Sequence, residues 1–223
     1  MSGAKSFENL KSDSSRILKS LRSNTSAGIT SLAVFEQGNG ENEEHRKSLH
    51  DLVSQRHAGM TFDHIMRSML NLAVMDVSRM TDNPGTDRLS LSRLVRLVDG
   101  HKSDFENAAL HWYDDLLGFP NAQAETSAAK VVEEWDVFHD NLQILQRSGE
   151  LKRVRALRNN ELAHSLGKSF QLPVILDIKQ VLLKIGNVVS SASFALEGLE
   201  WGVDDYVVSR NENARTFWDC FGQ

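Results

Sequence analysis

PVILDIKQVLLKIGNVVSSASFALEGL, residues 173–199, carries the most regular hydrophobic pattern in the chain. Its apolar residues recur every three or four positions, which is the spacing of one face of an α-helix. They are Ile175, Ile178, Leu182, Ile185, Val189, Ala192, Leu196 and Leu199. The pattern is too long for a strand and predicts a helix that begins after Pro173 and buries one face against other helices.

The segments on either side of this helix also have helical spacing. We predict helices over about 7–32, 44–57, 61–82, 90–98, 103–117, 126–147 and 151–165. Gly59 is expected to end the second of these and Thr61 to cap the third. No segment alternates with a period of two, so the sequence predicts an all-α fold, an antiparallel helical bundle.

The core of this bundle is expected to come from the segments that start near Thr61, Thr126, Leu151 and Pro173. The predicted division of the chain is an N-terminal helical extension at 1–60, packed on or linked to the bundle, the bundle itself at 61–202, and a C-terminal tail at 203–223. The tail mixes charges with Phe217, Trp218 and Phe221, and its pattern assigns no secondary structure.

Composition narrows the class of protein. Thirty acidic and 25 basic residues give a net charge of −5, which argues against a protein that coats nucleic acid non-specifically. Cys220 is the single cysteine, so no internal disulfide can form. The first residues have no apolar core of a signal peptide, and no apolar run approaches the ~20 residues of a membrane span. We therefore expect a cytoplasmic protein.

Residues 151–164 break their own hydrophobic pattern. Leu151, Val154, Leu157 and Leu162 form an apolar stripe, yet Arg158 and Glu161 fall within that stripe and His164 lies at its edge. A guanidinium aimed at a core is costly unless it is paired or faces a polar cleft. Such violations tend to mark functional sites. A buried Arg158–Glu161 pair beside an edge histidine is the alternative interpretation.

A basic cluster precedes the histidine in the same segment. Arginine offers planar donors for phosphate oxygens, and histidine can transfer a proton near neutral pH. His164 stands shortly before Gly167, where the helix dipole favours a protonated imidazole. A solvated face is the alternative for the cluster, which comprises Lys152, Arg153, Arg155 and Arg158.

The heptapeptide Arg158-Asn159-Asn160-Glu161-Leu162-Ala163-His164 resembles the signature of the HEPN superfamily, an arginine, a polar residue, four variable residues and a histidine. Ser78-Arg79-Met80-Thr81-Asp82 followed by Leu89-Ser90-Leu91 resembles the helix-and-turn pattern of its abortive-infection, AbiU-like branch. The resemblance covers roughly residues 61–199.

This resemblance implies a metal-independent endoribonuclease of phage defence or of a toxin system, with no cofactor and an unknown antitoxin. The ribose 2′-hydroxyl would attack the phosphate, with His164 as general acid or base, Arg158 stabilising phosphoryl charge and Asn159 orienting the histidine or binding phosphate. Substrate contacts are expected from Lys152, Arg153, Arg155 and Asn160, with Glu161 in support. In some relatives a tyrosine two residues after the histidine is modified, whereas this chain has Leu166.

Dimerisation is expected both from the family and from helix geometry. On one ideal helix Arg158 and His164 are ~9 Å apart along the axis and ~120° apart in direction. One copy is therefore poorly arranged to grip one phosphate. Two copies that face each other across a two-fold axis converge better.

Two other functions fit the same residues. Glu161-x-x-His164 and Asp136-x-x-His139 could belong to a carboxylate-bridged di-metal bundle, although Arg158 would repel the cation. A dimeric interaction module that binds RNA or nucleotides without cutting them is the non-enzymatic alternative.

Overall fold

The computed structural model describes residues 6–40, 43–82, 89–111, 122–159 and 172–220, with backbone alone at 45, 122–125 and 172–174. Nine helices and no strand occur in these ranges. They are α1 (Phe7–Gly38), α2 (Glu43–Gln55), α3 (Gly59–Thr81), α4 (Leu91–Val98), α5 (Lys102–Ala109), α6 (Ala122–Arg147), α7 (Gly149–Leu157), α8 (Leu172–Glu197) and α9 (Val203–Asp219). The prediction of an all-α helical bundle is confirmed.

The chain divides into two compact units, and the first comprises residues 1–23, 79–148 and 183–202. In this unit α5 packs against α6. Phe105, which is fully buried, contacts the rings of Phe7 and Trp135 at centroid distances of 5.2 and 5.8 Å. Arg22 donates to Glu197 at 2.5 Å and so ties α1 to the end of α8.

The second unit comprises residues 24–78, 149–182 and 203–223, and it contains the motif helix α7. Here α8 lies directly against α1. A Cβ atom at Gly28 would stand 2.8 Å from Leu182 Cδ2, so any larger residue at this position would have to displace the end of the Leu182 side chain. Lys179 Nζ donates to both carboxylate oxygens of Glu36 at 2.9 and 3.0 Å, which adds a polar link to the same pair of helices.

Two of the predicted helix starts need correction. α3 begins at Gly59, before the predicted cap Thr61, because His57 takes the left-handed conformation (φ 52°) that turns the chain. α6 ends at Arg147 as predicted, Ser148 Oγ donates to the Leu145 carbonyl, and α7 begins at Gly149, two residues before its predicted start at Leu151.

The segment after residue 202, which the sequence pattern left unassigned, is a helix packed into the second unit. Trp218 of α9 is 3% exposed, donates from Nε1 to the Val34 carbonyl at 2.8 Å and contacts the Phe62 ring edge-on. The predicted domain boundary between residues 202 and 203 falls where the chain leaves the first unit and enters the second. The predicted boundary between residues 60 and 61 lies inside the second unit. The division into extension, bundle and tail stays a prediction. None of the described helices has the length and apolar character needed to cross a membrane.

Candidate active site at the end of α7

One face of α7 is buried and the other carries charge. Leu151, Val154 and Leu157 are at most 7% exposed, which confirms the predicted apolar stripe as far as Leu157. Lys152 and Arg153 are exposed on the opposite side. Arg155 is half-buried. These three buried aliphatic side chains fix the orientation of α7 and therefore the position at which Arg158 follows it.

The backbone changes at the end of α7, where Arg158 and Asn159 adopt π-helical geometry. π-Turns are rare, occur mostly as single turns at α-helices and are frequent at functional sites, because a hydrogen bond from i to i+5 widens the turn. Arg158 is half-buried and Asn159 is exposed. The change from α-helical backbone thus begins at the first two residues of the predicted motif.

Arg158 and Asn159 are held together through their side chains. Nε and Nη2 of Arg158 both donate to Oδ1 of Asn159, at 3.0 and 2.9 Å. A guanidinium can only donate, so the asparagine atom that faces it must be the oxygen. Side chains at i and i+1 do not face each other in a regular α-helix. The contact therefore accompanies the departure from α-helical geometry and fixes one edge of the guanidinium.

Arg153 is engaged by a carboxylate of a different helix. Its Nε and Nη2 donate to the two oxygens of Asp177 in α8, both at 2.7 Å. The Asp177 side chain is 9% exposed and that of Arg153 61%. The hydrogen bonds that Arg153 donates to Asp177 are the main reason that the pKa of Arg153 is raised above its usual value. Arg153 thus forms a bidentate pair that links α7 to α8.

Some of the remaining predicted site residues lie on α7, and the others follow residue 159, where the described part of this segment ends. Lys152 and Arg155 stand on α7, before the Arg158–Asn159 turn. The predicted catalytic histidine His164, the predicted contact Asn160 and the supporting Glu161 lie outside the described residues, as does Leu166. The structure therefore brings together Arg158 and Asn159. The roles assigned to all eight predicted residues stay predictions.

The Asp136–His139 pair of the di-metal alternative has other contacts. Asp136 is exposed and accepts from Lys102 Nζ at 2.6 Å. His139 Nδ1 lies 2.9 Å from the Trp135 carbonyl, and its ring stacks on that tryptophan. Within the described ranges no group of three or more His, Cys, Asp or Glu side chains could hold a metal ion. Asp136 is thus already neutralised by a lysine, which weakens its case as a ligand.

Asp177 is the site residue that sequence reasoning missed. A signal for it existed, because this carboxylate stands on the most regular apolar pattern of the chain, next to Ile178 and four residues before Val181. Both of these neighbours are fully buried. A buried acidic residue needs a partner. The pattern could have predicted a cationic partner, but not which one.

An all-helical chain with an Arg–Asn pair at the end of a short helix, and a histidine six residues after that arginine, has the features of the HEPN class. Within that class the chain belongs to the HEPN AbiU2 family, whose sequence profile matches residues 11–217. The predicted family is confirmed, and the match extends beyond residues 61–199 on both sides. No curated protein and no solved structure matches the chain significantly.

Proposed function

We propose that this protein is a metal-independent endoribonuclease that acts in the cytoplasm, in phage defence or a related toxin system. Its membership of the HEPN AbiU2 family is compatible with both the nuclease activity and the abortive-infection role. The observation that carries the proposal is the pair of hydrogen bonds between Arg158 and Asn159, through which the guanidinium is oriented by its neighbour at the end of α7. Such an arginine suits phosphate recognition better than a freely rotating surface residue does.

The proposed reaction needs only groups that the chain and RNA supply. The ribose 2′-oxygen forms a bond to the adjacent phosphorus, and the bond from phosphorus to the 5′-oxygen breaks. The products are a 2′,3′-cyclic phosphate and a free 5′-hydroxyl. His164 accepts the 2′-hydroxyl proton or donates the proton to the leaving oxygen. Arg158 stabilises the charge that develops on the phosphoryl oxygens.

We propose that the active site lies at a two-fold interface, because on one ideal helix Arg158 and His164 would point too far apart to grip the same phosphate from one copy. Lys152 and Arg155 stand on α7 just before Arg158 and are proposed to contact RNA phosphates beyond the scissile one. Asn160 is proposed to extend this contact and Glu161 to support it. RNA and a second copy of the chain are therefore the proposed partners.

The test incubates the full chain with labelled total RNA in EDTA. The parent should cut, and His164→Ala should lose about 10²–10⁴-fold in rate with nearly unchanged RNA affinity. Arg158→Ala should lose both rate and affinity, and Arg158→Lys should restore little, because a point charge does not reproduce a planar fork.

His50→Ala and Arg147→Ala are the matched controls, since both parent residues are exposed on other helices. Light scattering should report a dimer. A His164→Ala variant that cuts as fast as the parent would exclude this mechanism. Cleavage that disappears in EDTA would favour the di-metal alternative. Binding without cleavage, lost in Arg158→Ala, would favour the interaction module.

A further inference from the structure

We infer that Arg153 and Asp177 form a clamp that positions Arg158, and that Arg153 acts through this clamp instead of by binding RNA. The catalytic consequence of the clamp rests on the proposed function, whereas its effect on α7 does not. Arg153 stands on α7 five residues before Arg158, and Arg158 directly follows the last residue of that helix. A tilt of α7 would therefore move the Arg158 guanidinium directly.

Asp177 is a fixed anchor for this clamp. It lies in the part of α8 that packs against α1, where Lys179 pairs with Glu36 and Leu182 approaches Gly28. Both carboxylate oxygens of Asp177 are used by Arg153 at 2.7 Å. Because α8 is fixed against α1, its buried Asp177 carboxylate can in turn fix the position of α7 through Arg153.

The geometry of the pair suits positioning better than it suits stability. An ion pair with one largely exposed partner contributes little to folding, because solvent screens it and ordering the arginine costs entropy. A bidentate fork, in contrast, fixes both the distance and the plane of the guanidinium. We therefore expect loss of the fork to change the rate of cleavage more than the melting temperature.

The same fork argues against a direct role of Arg153 in RNA binding. To grip a phosphate with this edge, Arg153 would have to give up both of the hydrogen bonds that it donates to Asp177. Lys152 and Arg155 stand on the same helix but take no part in this fork. Among the basic residues of α7, the clamp thus separates Arg153 from those proposed to contact RNA.

The decisive variants are Arg153→Lys, which keeps the charge but loses the fork, and Asp177→Asn, which keeps the shape but loses the charge. Each should lower kcat by about 10–100-fold, because a misplacement of about 1 Å has an effect of this size. KM should stay within about twofold. The double variant should be little worse than either single one, because both remove one interaction. Arg147→Lys, at the end of α6, is the control.

The salt dependence of RNA binding separates positioning from phosphate contact. Each phosphate contact that is lost should reduce the slope of log K against log salt by about 0.7 for single strands. Lys152→Ala should show this reduction, whereas Arg153→Ala and Asp177→Asn should keep the parent slope. A reduced slope in Arg153→Ala together with unchanged kcat would overturn the clamp and make Arg153 an RNA ligand.

Failure of the proposed function would be visible separately. If the parent cuts no RNA, hydrogen exchange of the amides from Arg155 to Asn159 decides the clamp. These amides should exchange about tenfold faster in Arg153→Lys and Asp177→Asn than in the parent or in Arg147→Lys. Equal exchange in all four proteins would overturn the inference.

Discussion

Replacement of Trp218 tests whether α9 is part of the folded second unit. The indole is 3% exposed, contacts the Phe62 ring at a centroid distance of 5.3 Å and donates to the Val34 carbonyl at 2.8 Å. Truncation of a buried tryptophan to alanine costs about 3–5 kcal/mol through lost transfer energy and the cavity left behind. The ring contact accounts for about 0.5–1.5 kcal/mol of aromatic interaction and the hydrogen bond for about 1 kcal/mol.

Trp218→Ala should therefore lower the free energy of unfolding by about 3–5 kcal/mol. Trp218→Phe should lower it by about 1–2 kcal/mol, because it keeps most of the ring but loses the Nε1–H donor. Urea unfolding followed by circular dichroism at 222 nm measures both. Val208→Ala is the control on the same helix, since Val208 is 58% exposed and should change stability by less than about 0.5 kcal/mol. A Trp218→Ala protein as stable as Val208→Ala would refute the packing of α9.

Two further predictions concern stability. Burial is the main cause that raises the pKa of the Glu134 carboxyl group above its usual value. The folded chain therefore binds the carboxyl proton more tightly than the unfolded chain does. The stability that this proton contributes is present at low pH and is lost as pH rises through the pKa of the folded state. Glu134→Gln should therefore raise the melting temperature slightly at pH 7, by about 1 °C, but not at pH 4, whereas the exposed Glu133→Gln should show no such pH dependence. Gly28→Val should lower the free energy of unfolding by about 1–3 kcal/mol, measured by urea unfolding, because the new side chain displaces Leu182. Gly59→Val is the control, since a Cβ atom at Gly59 enters open space. Equal stability of the two variants would exclude the close approach of α1 and α8.

The fold was largely predictable because most helices carry a dense apolar face. α8 and the buried stripe of α7 follow directly from the three- and four-residue spacing. α9 was missed because its buried residues are few and widely separated, Val203, Ala214 and Trp218. The start of α3 was misplaced because the left-handed turn falls on His57, a residue with a side chain, and not on Gly59. Sequence rules assign such turns to glycine.

The candidate site was predictable only where its interactions are local. Arg158 and Asn159 are neighbours in sequence, so the motif contains both partners of their hydrogen bonds. Arg153 stood in a basic cluster that suggested phosphate binding, yet its partner Asp177 is 24 positions away on another helix. A wheel of α7 alone cannot reveal a partner on a different helix. The role of Arg153 therefore depends on tertiary packing.

The contact between Arg158 and Asn159 also narrows what the asparagine can do. Its Oδ1 accepts two bonds from the guanidinium, so this oxygen is not the atom that would orient a histidine, and as an acceptor it would repel a phosphate. The Nδ2 amide is the one donor group of this side chain. A carboxylate at the same position would hold Arg158 more tightly but would cancel the charge that a phosphate needs. A neutral amide orients the arginine without adding a negative charge of its own, which gives a physical reason for asparagine beside the arginine of this motif.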